Sequence, residues 1–166
     1  VCEKAAGDEV VSCANFNSPG QVVIAGDRAA VDRACALASE AGARRAIPLA
    51  VSVPSHCALM RPAADLLAKK LESVVLSEGR IPVLHNVDVQ AHSDPADIRR
   101  SLVNQLWQPV RWSTTIQELA ERGVTHFAEC GPGKVLAGLN RRISRDVTTV
   151  ALLTGAEMEQ ITEAWS

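Results

Sequence analysis

Val51-Ser52-Val53-Pro54-Ser55-His56-Cys57-Ala58 is the stretch whose reading decides the fold: an apolar run stops at a proline and delivers a histidine to the start of a helix. Val53 precedes Pro54 and is pushed toward extended geometry, so the order predicts a strand, a sharp turn and then a helix. His56 falls at the mouth of such a fold. Two readings are open for it there, a polar loop or cap residue and a general base, and the histidine alone does not decide between them.

Before this stretch, Arg44 to Val51 reads as a strand leading into the histidine segment. It follows a helix with Asp27 as N-cap, in which Val31, Ala34, Cys35, Ala38 and Ala41 recur at helical spacing until Gly42 stops them. Further back, Val10 to Phe16 and Gln21 to Ala25 are strand candidates, and the turn chemistry of Asn17-Ser18-Pro19-Gly20 joins them as a hairpin. Val1 to Gly7 reads as the last turns of a helix ending at a glycine. The order helix end, strand, strand, helix, strand is a β-α-β-β-α-β unit without its first strand, which is the pattern of a fragment.

After His56, Leu59, Ala63, Leu66, Leu67 and Leu71 form one stripe, predicting an amphipathic helix whose Lys69, Lys70 and Glu72 face water. Ile81 to Val89 offers a strand, and Ser93-Asp94-Pro95 a helix start with proline at the first helical position. The buried face of that helix is marked by Ile98, Leu102 and Leu106. Then come a helix from Trp112 to Arg122, a strand from Val124 to Glu129, a helix from Lys134 to Ile143, a strand from Val147 to Leu153 and an acidic C-terminal helix. This alternation predicts a mostly parallel α/β sheet covered on both faces. The change of motif near Ser52 divides the chain into residues 1–52 and 53–166.

Composition narrows the partners. The formal charge of -2, from 17 basic and 19 acidic residues, offers no broad basic surface for nucleic acid. No apolar run approaches the roughly 20 residues of a membrane span, so a cytoplasmic protein is expected. Cys2, Cys13, Cys35, Cys57 and Cys130 are odd in number and scattered without C-x-x-C pairs, which predicts free thiols and neither a disulfide framework nor a structural zinc site. Cys57 beside His56 raises a thiol nucleophile, but neighbouring residues point different ways and a packed thiol is the simpler reading.

Other candidate chemistry is sparse. Gly131-Pro132-Gly133-Lys134 lacks the spacing of a phosphate loop, and Val135 stands where the hydroxyl would be; backbone geometry explains its glycines, with N–H groups that offer themselves to an anion as the alternative. His85 and His126 fall in strand-like stretches and His92 in a polar loop, where hydrogen-bonded structural roles are the default and a metal site is not expected. Asp65 on the following helix is open as an orienting acid for His56 or as a surface charge. A histidine base needs a nucleophile, and no G-x-S-x-G elbow occurs in the chain. Ser55 lies too close to His56 along the chain to attack.

Four motifs in order carry a resemblance: the run Asn15-Phe16-Asn17-Ser18-Pro19-Gly20-Gln21-Val22-Val23-Ile24-Ala25-Gly26, the histidine stretch Val51 to Cys57, Asn104-Gln105-Leu106 with Pro109-Val110-Arg111-Trp112, and Gly131-Pro132-Gly133-Lys134-Val135-Leu136. Together they resemble the C-terminal half of the bacterial malonyl-CoA:acyl carrier protein transacylase family. The resemblance implies an α/β fold in which residues 1–52 are a truncated ferredoxin-like subdomain and 53–166 the second half of an α/β-hydrolase-like core. It implies that His56 is the general base that activates a serine, oriented by the main-chain carbonyl of Gln105. The serine, an arginine for the malonyl carboxylate and a glutamine lending an oxyanion-hole N–H lie earlier in that family, so this chain alone is expected to be inactive, and poorly soluble when expressed alone.

The implied partners are malonyl-CoA, the acyl carrier protein and the N-terminal half of the same enzyme, with no cofactor beyond these substrates, no nucleic acid or membrane, and a monomer at full length. Asn15, Asn17 and Gln21 in the hairpin, and Ser55 before the base, are expected contacts to substrate or carrier, with turn capping as the alternative for the first three. Arg44 and Arg45 offer charge to an acidic carrier or stand as plain surface charge. Rival readings are a polyketide synthase acyltransferase, which shares the fold and the histidine, a non-catalytic carrier-binding module, and a thioesterase or other hydrolase on a similar core.

Overall fold

A computed structural model describes residues 1–165. It divides into two compact units, residues 1–17 with 21–112, and 18–20 with 113–165.

In the first unit, α1 (Cys2–Ala6) ends at Gly7, whose φ of 59° is a left-handed conformation that glycine adopts without strain. Strands β1 (Val11–Ser18) and β2 (Gln21–Gly26) pair across Pro19-Gly20, so β1 runs two residues beyond the expected Phe16. Helix α2 (Arg28–Glu40) then packs its small residues inward: Ala30 and Ala34 are fully buried against Ala5 and Val11. Small side chains let the elements approach closely, and Gly26 shows how closely, because a Cβ there would collide with the Val10 carbonyl oxygen. Asp27 occupies the N-cap position of α2, yet its side chain caps nothing in the helix; one carboxylate oxygen accepts the Val10 N–H at 2.8 Å and so ties β1 to the helix start. Arg33 on α2 donates to the carbonyls of Ala5 and Ala6 at 2.8 and 3.0 Å, satisfying the C-terminal end of α1.

The expected strand over Arg44–Val51 is not formed. The segment has no ladder partner among the described residues and leaves Ile47, Leu49, Val51 and Val53 exposed. Its alternation is that of a strand, but an extended segment becomes a strand only when its N–H and C=O groups find a neighbour. The same holds for Ile81–Val89, which forms only an isolated antiparallel bridge between Leu84 and Ala91 and then turns.

A 3₁₀ turn at Ala58–Met60 leads into α3 (Arg61–Glu72). Its buried face is not quite the predicted stripe. Ala64 and Leu71 are buried, while Leu66 is 68% exposed and Leu59 37%. Helix α4 (Pro95–Asn104) starts as predicted, with Asp94 accepting the N–H groups of Ala96 and Asp97 and Pro95 in the first turn. Arg99 reaches from α4 to the Leu71 and Val74 carbonyls at 3.2 and 2.9 Å, closing the C-terminal end of α3.

The second unit carries α5 (Trp112–Glu121) from Ser113 onward, β3 (His126–Cys130), α6 (Val135–Ile143), β4 (Thr148–Leu152) and α7 (Gly155–Trp165). Strands β3 and β4 are parallel, in register from His126 opposite Thr148 to Cys130 opposite Leu152. Thr154 and Glu157 form a reciprocal cap at the start of α7: the Glu157 carboxylate accepts the Thr154 N–H at 2.7 Å, and the Glu157 N–H donates to the Thr154 hydroxyl at 3.3 Å. The backbone N–H of Leu153 and the groups of Thr154 hold that carboxyl below its ordinary range. The described elements are thus mixed α/β with a parallel strand pair, as expected, and without the wider parallel sheet.

Candidate functional site

The site is built where α4 ends. In a helix the carbonyl of residue i accepts the N–H of residue i+4. At the end of α4 the pattern still holds for Asn104, whose carbonyl accepts the Gln108 N–H at 2.9 Å. The next carbonyl in the series is Gln105, and its partner would be residue 109, a proline without an N–H. The Gln105 carbonyl is therefore orphaned by the sequence itself, and His56 Nδ1 lies 2.6 Å from it. Leu106 repeats the situation: its helical partner would be the Val110 N–H, but that group donates to Ala14 on β1 at 2.9 Å, and the Leu106 carbonyl accepts the His56 N–H at 3.0 Å instead.

This pair of contacts fixes the histidine's chemistry. A carbonyl oxygen carries no proton, so Nδ1 donates and must be the protonated nitrogen of the neutral ring, which leaves the Nε2 lone pair to act as acceptor. The backbone at His56 has φ of 63°, a left-handed conformation uncommon for a residue with a Cβ. Strain of this kind persists only where the surroundings over-determine it. Two hydrogen bonds from one residue to adjacent carbonyls do so here. The ring is half-buried, and neither Asp65, exposed on α3, nor any other carboxylate takes part in its hydrogen bond.

Cys57 is buried and its thiol donates to the Pro54 carbonyl at 3.2 Å. Burial pushes the thiol pKa up, so it stays protonated and packed, as expected for a structural thiol. All five cysteines are free thiols. Ser55 is exposed beside His56. Asn15 and Asn17 lie on β1, and Gln21 begins β2, so these residues flank the turn; its tip is Pro19-Gly20. Asn15 forms a parallel bridge with Val110, and the Phe16 N–H donates to the Val110 carbonyl at 2.9 Å, which ties β1 to the segment that follows Gln105. Arg44 and Arg45 are exposed on the unpaired segment before the histidine.

A second polar cluster escaped sequence reasoning. In the turn after Leu84, the Asp88 carboxylate meets His92 Nε2 at 2.8 Å, the Ser101 hydroxyl of α4 at 3.0 Å and the Gln90 N–H at 3.1 Å. Burial alone raises the pKa of Asp88, but the bonds from His92, Gln90 and Ser101 together hold it below its ordinary value. His85 has its ring centroid 5.4 Å from that of His92, and burial, the largest cause, lowers its pKa. Val89 closes the turn at φ of 60°, an outlier for a β-branched residue. Among the described residues no group of histidine, cysteine and carboxylate side chains is arranged to hold a metal ion.

A carboxylate already stands at the helix start that follows the Gly131-Pro132-Gly133-Lys134 turn. Glu129 fills the start of α6, accepting the Leu136 and Ala137 N–H groups at 3.1 and 2.8 Å. A carboxylate there already complements the positive end of the helix. His126 takes a hydrogen-bonded place, with Nδ1 2.8 Å from the Thr125 hydroxyl.

A histidine with Nδ1 fixed on a main-chain carbonyl, on a mixed α/β fold, is an arrangement suited to proton transfer at Nε2. Comparison with known proteins places the chain: it belongs to the acyl transferase domain family, whose model matches residues 1–160. It is 54% identical over 162 residues to the malonyl CoA-acyl carrier protein transacylase of Haemophilus influenzae, an alignment covering 98% of this chain and 52% of that protein. The chain spans about half the length of the curated relatives it matches. Among solved structures, an acyl carrier protein S-malonyltransferase from Vibrio cholerae matches with a TM-score of 0.94 at 52% identity, over 96% of this chain and 52% of that one. A malonyl-transacylase solved in complex with a type II polyketide synthase acyl-carrier protein matches with a TM-score of 0.96 at 48% identity, over 98% of this chain and 53% of that one. Among the described residues, no helix is long and apolar enough to cross a membrane.

Proposed function

We propose that the protein to which this chain belongs transfers a malonyl group from malonyl-CoA to the phosphopantetheine thiol of an acyl carrier protein, by way of a malonyl-serine ester, in fatty acid synthesis. The observation that carries the reading is the 2.6 Å contact of His56 Nδ1 with the Gln105 carbonyl, which turns Nε2 into a base. In the first half-reaction Nε2 takes the serine hydroxyl proton as the oxygen attacks the malonyl thioester, and returns it to the departing coenzyme A thiol. In the second half, Nε2 takes the proton of the carrier's thiol, the sulfur attacks the serine ester, and the proton returns to the serine oxygen. The serine, the arginine for the malonyl carboxylate and the oxyanion donor belong to residues outside this chain. No cofactor is required.

On this reading residues 1–52 form part of a ferredoxin-like subdomain and 53–166 the second half of an α/β-hydrolase-like core, in a cytoplasmic monomer. Asn15, Asn17, Gln21 and Ser55 contact substrate or carrier, and Arg44 and Arg45 meet an acidic carrier surface. A second reading is favoured by the relative seen with a polyketide synthase carrier, and assigns this protein to a polyketide pathway with the same chemistry. Competition between malonyl- and methylmalonyl-CoA, and between the two kinds of carrier, separates them.

The test is His56→Ala in the full-length enzyme, assayed for malonyl transfer to a carrier that bears a free phosphopantetheine thiol. Loss of the general base lowers kcat by about 10²- to 10⁴-fold. A variant that transfers at the wild-type rate sinks the proposal.

A further inference from the structure

A third contact joins the histidine segment to the end of α4, and no motif covers it. The guanidinium carbon of Arg61, the first residue of α3, stands 4.2 Å from the centroid of the Trp107 ring. Arg61 closes the short turn that begins at His56, and Trp107 lies two residues beyond Gln105. The contacts between the two segments thus come in a row: the His56 N–H on the Leu106 carbonyl, His56 Nδ1 on the Gln105 carbonyl, and Arg61 on Trp107.

We propose that Arg61 and Trp107 form a cation–π clamp that positions His56 for proton transfer, which makes both of them positioning residues for the acyl transfer described above; the inference rests on the reading of His56 as its base. The two hydrogen bonds both originate in His56, so they tie the turn to the α4 end at that residue alone. The Arg61–Trp107 contact adds a second, off-axis tie at the far end of the turn. Arginine and tryptophan suit the task, because a planar guanidinium lies flat on a ring face and indole is the best of the aromatic faces for a cation. Arg61 is exposed and Trp107 half-buried, so the clamp is modest in strength and acts on alignment. A base displaced by a fraction of an ångström loses rate without losing substrate affinity.

The experiment uses the full-length enzyme with Arg61→Gln, Trp107→Leu, their combination and Arg61→Lys, measuring kcat and KM for malonyl-CoA and for carrier protein. Each single variant lowers kcat by about threefold to tenfold with both KM values unchanged. The double variant is no slower than the slower single one, because one contact is lost only once. Arg61→Lys, which keeps a cation over the ring, recovers most of the rate. Additive losses, failure of lysine to recover the rate, or a raised KM with intact kcat overturn the clamp; the last would make Arg61 a substrate or carrier contact. Trp107→Leu removes a half-buried ring, so Arg61→Gln with Arg61→Lys carries the test if that variant does not fold. His56→Ala is run beside them. If it retains transfer, the reading of His56 fails; if it is inactive while Arg61→Gln and Trp107→Leu match wild type, only the clamp fails.

Discussion

Two neighbouring segments of this chain differ in sequence pattern and meet opposite fates. Arg44–Val53 alternates apolar and small or polar residues as a strand does, yet it pairs with nothing among the described residues, and Val51 is 72% exposed. Pro54–Met60, directly after it, has no periodicity, yet it is held by the Cys57 thiol on Pro54, by both His56 bonds and by the Met60 N–H on Cys57. Hydrophobic patterning states a demand for burial that another element must meet. Orphaned backbone groups, by contrast, are a local fact of the sequence, and here the Gln105 carbonyl is met by His56, 49 residues away along the chain.

The largest effect that separates these segments is on solubility. Ile47, Leu49, Val51 and Val53 form an exposed apolar edge, which is the arrangement that invites pairing between copies. For the 166-residue chain expressed alone, Leu49→Lys with Val51→Glu raises the soluble fraction severalfold, as read by centrifugation and size-exclusion chromatography. The same changes in the full-length enzyme lower its unfolding temperature, because there the stripe is expected to be covered. If the double variant leaves the solubility of the isolated chain unchanged, the contrast between the segments is of no physical consequence.

Next in size is the Asp88 cluster, a turn fastened by side chains as the His56 turn is by backbone. Asp88→Asn in the full-length protein costs about 1 kcal/mol, at the low end for a charge-assisted network because the side chain is 37% exposed and water screens it. The pH dependence has a definite sign. His85 has a folded pKa below its ordinary 6.5, so the unfolded chain binds the proton first and stability falls as pH drops from about 6.5 through the folded value. Asp88 lies below its ordinary 3.8, so its contribution is present above that pH and is lost as pH falls through the folded pKa. Asp88→Asn therefore shrinks the acid loss near and below 3.8, to which Glu157 also contributes below its ordinary 4.5, and deepens the window that opens at 6.5, because Asp88 no longer raises the His85 pKa. Unfolding temperatures measured from pH 7.5 to 3, about the range that spans both windows, check this; a variant whose acid loss is as large as that of the wild type removes Asp88 as a source.

Much of this was legible. The hairpin, α2, the Asp94-Pro95 start of α4 and the alternation through β3, α6 and β4 announced themselves in turn and cap residues, whose effects are local. Leucine spacing misplaces the inner face of α3: Leu66 points to solvent, while the small Ala64 lies where the helix packs closely. Asp88, His92 and Ser101 meet across a turn and a helix, and nothing in their spacing marks a network. Gln105 was reached by resemblance, although Pro109 is a signal in plain view.

That proline gives the smallest and most discriminating change. The Gln108 N–H already completes a helical bond to Asn104, so an N–H at residue 109 would fall to the Gln105 carbonyl next. Pro109→Ala supplies it. A carbonyl has two lone pairs, so the new donor weakens the bond to His56 without displacing it, and α4 gains stability as its end extends. The expected result is a kcat lower by about threefold, with the KM values unchanged and the unfolding temperature unchanged or higher. A slower enzyme that is no less stable would show that an unmade hydrogen bond at the end of α4 is kept for the histidine. Unchanged kcat with the same gain in stability would mean that His56 does not depend on the orphaned carbonyl, and that the backbone bond to Leu106 is sufficient to hold it.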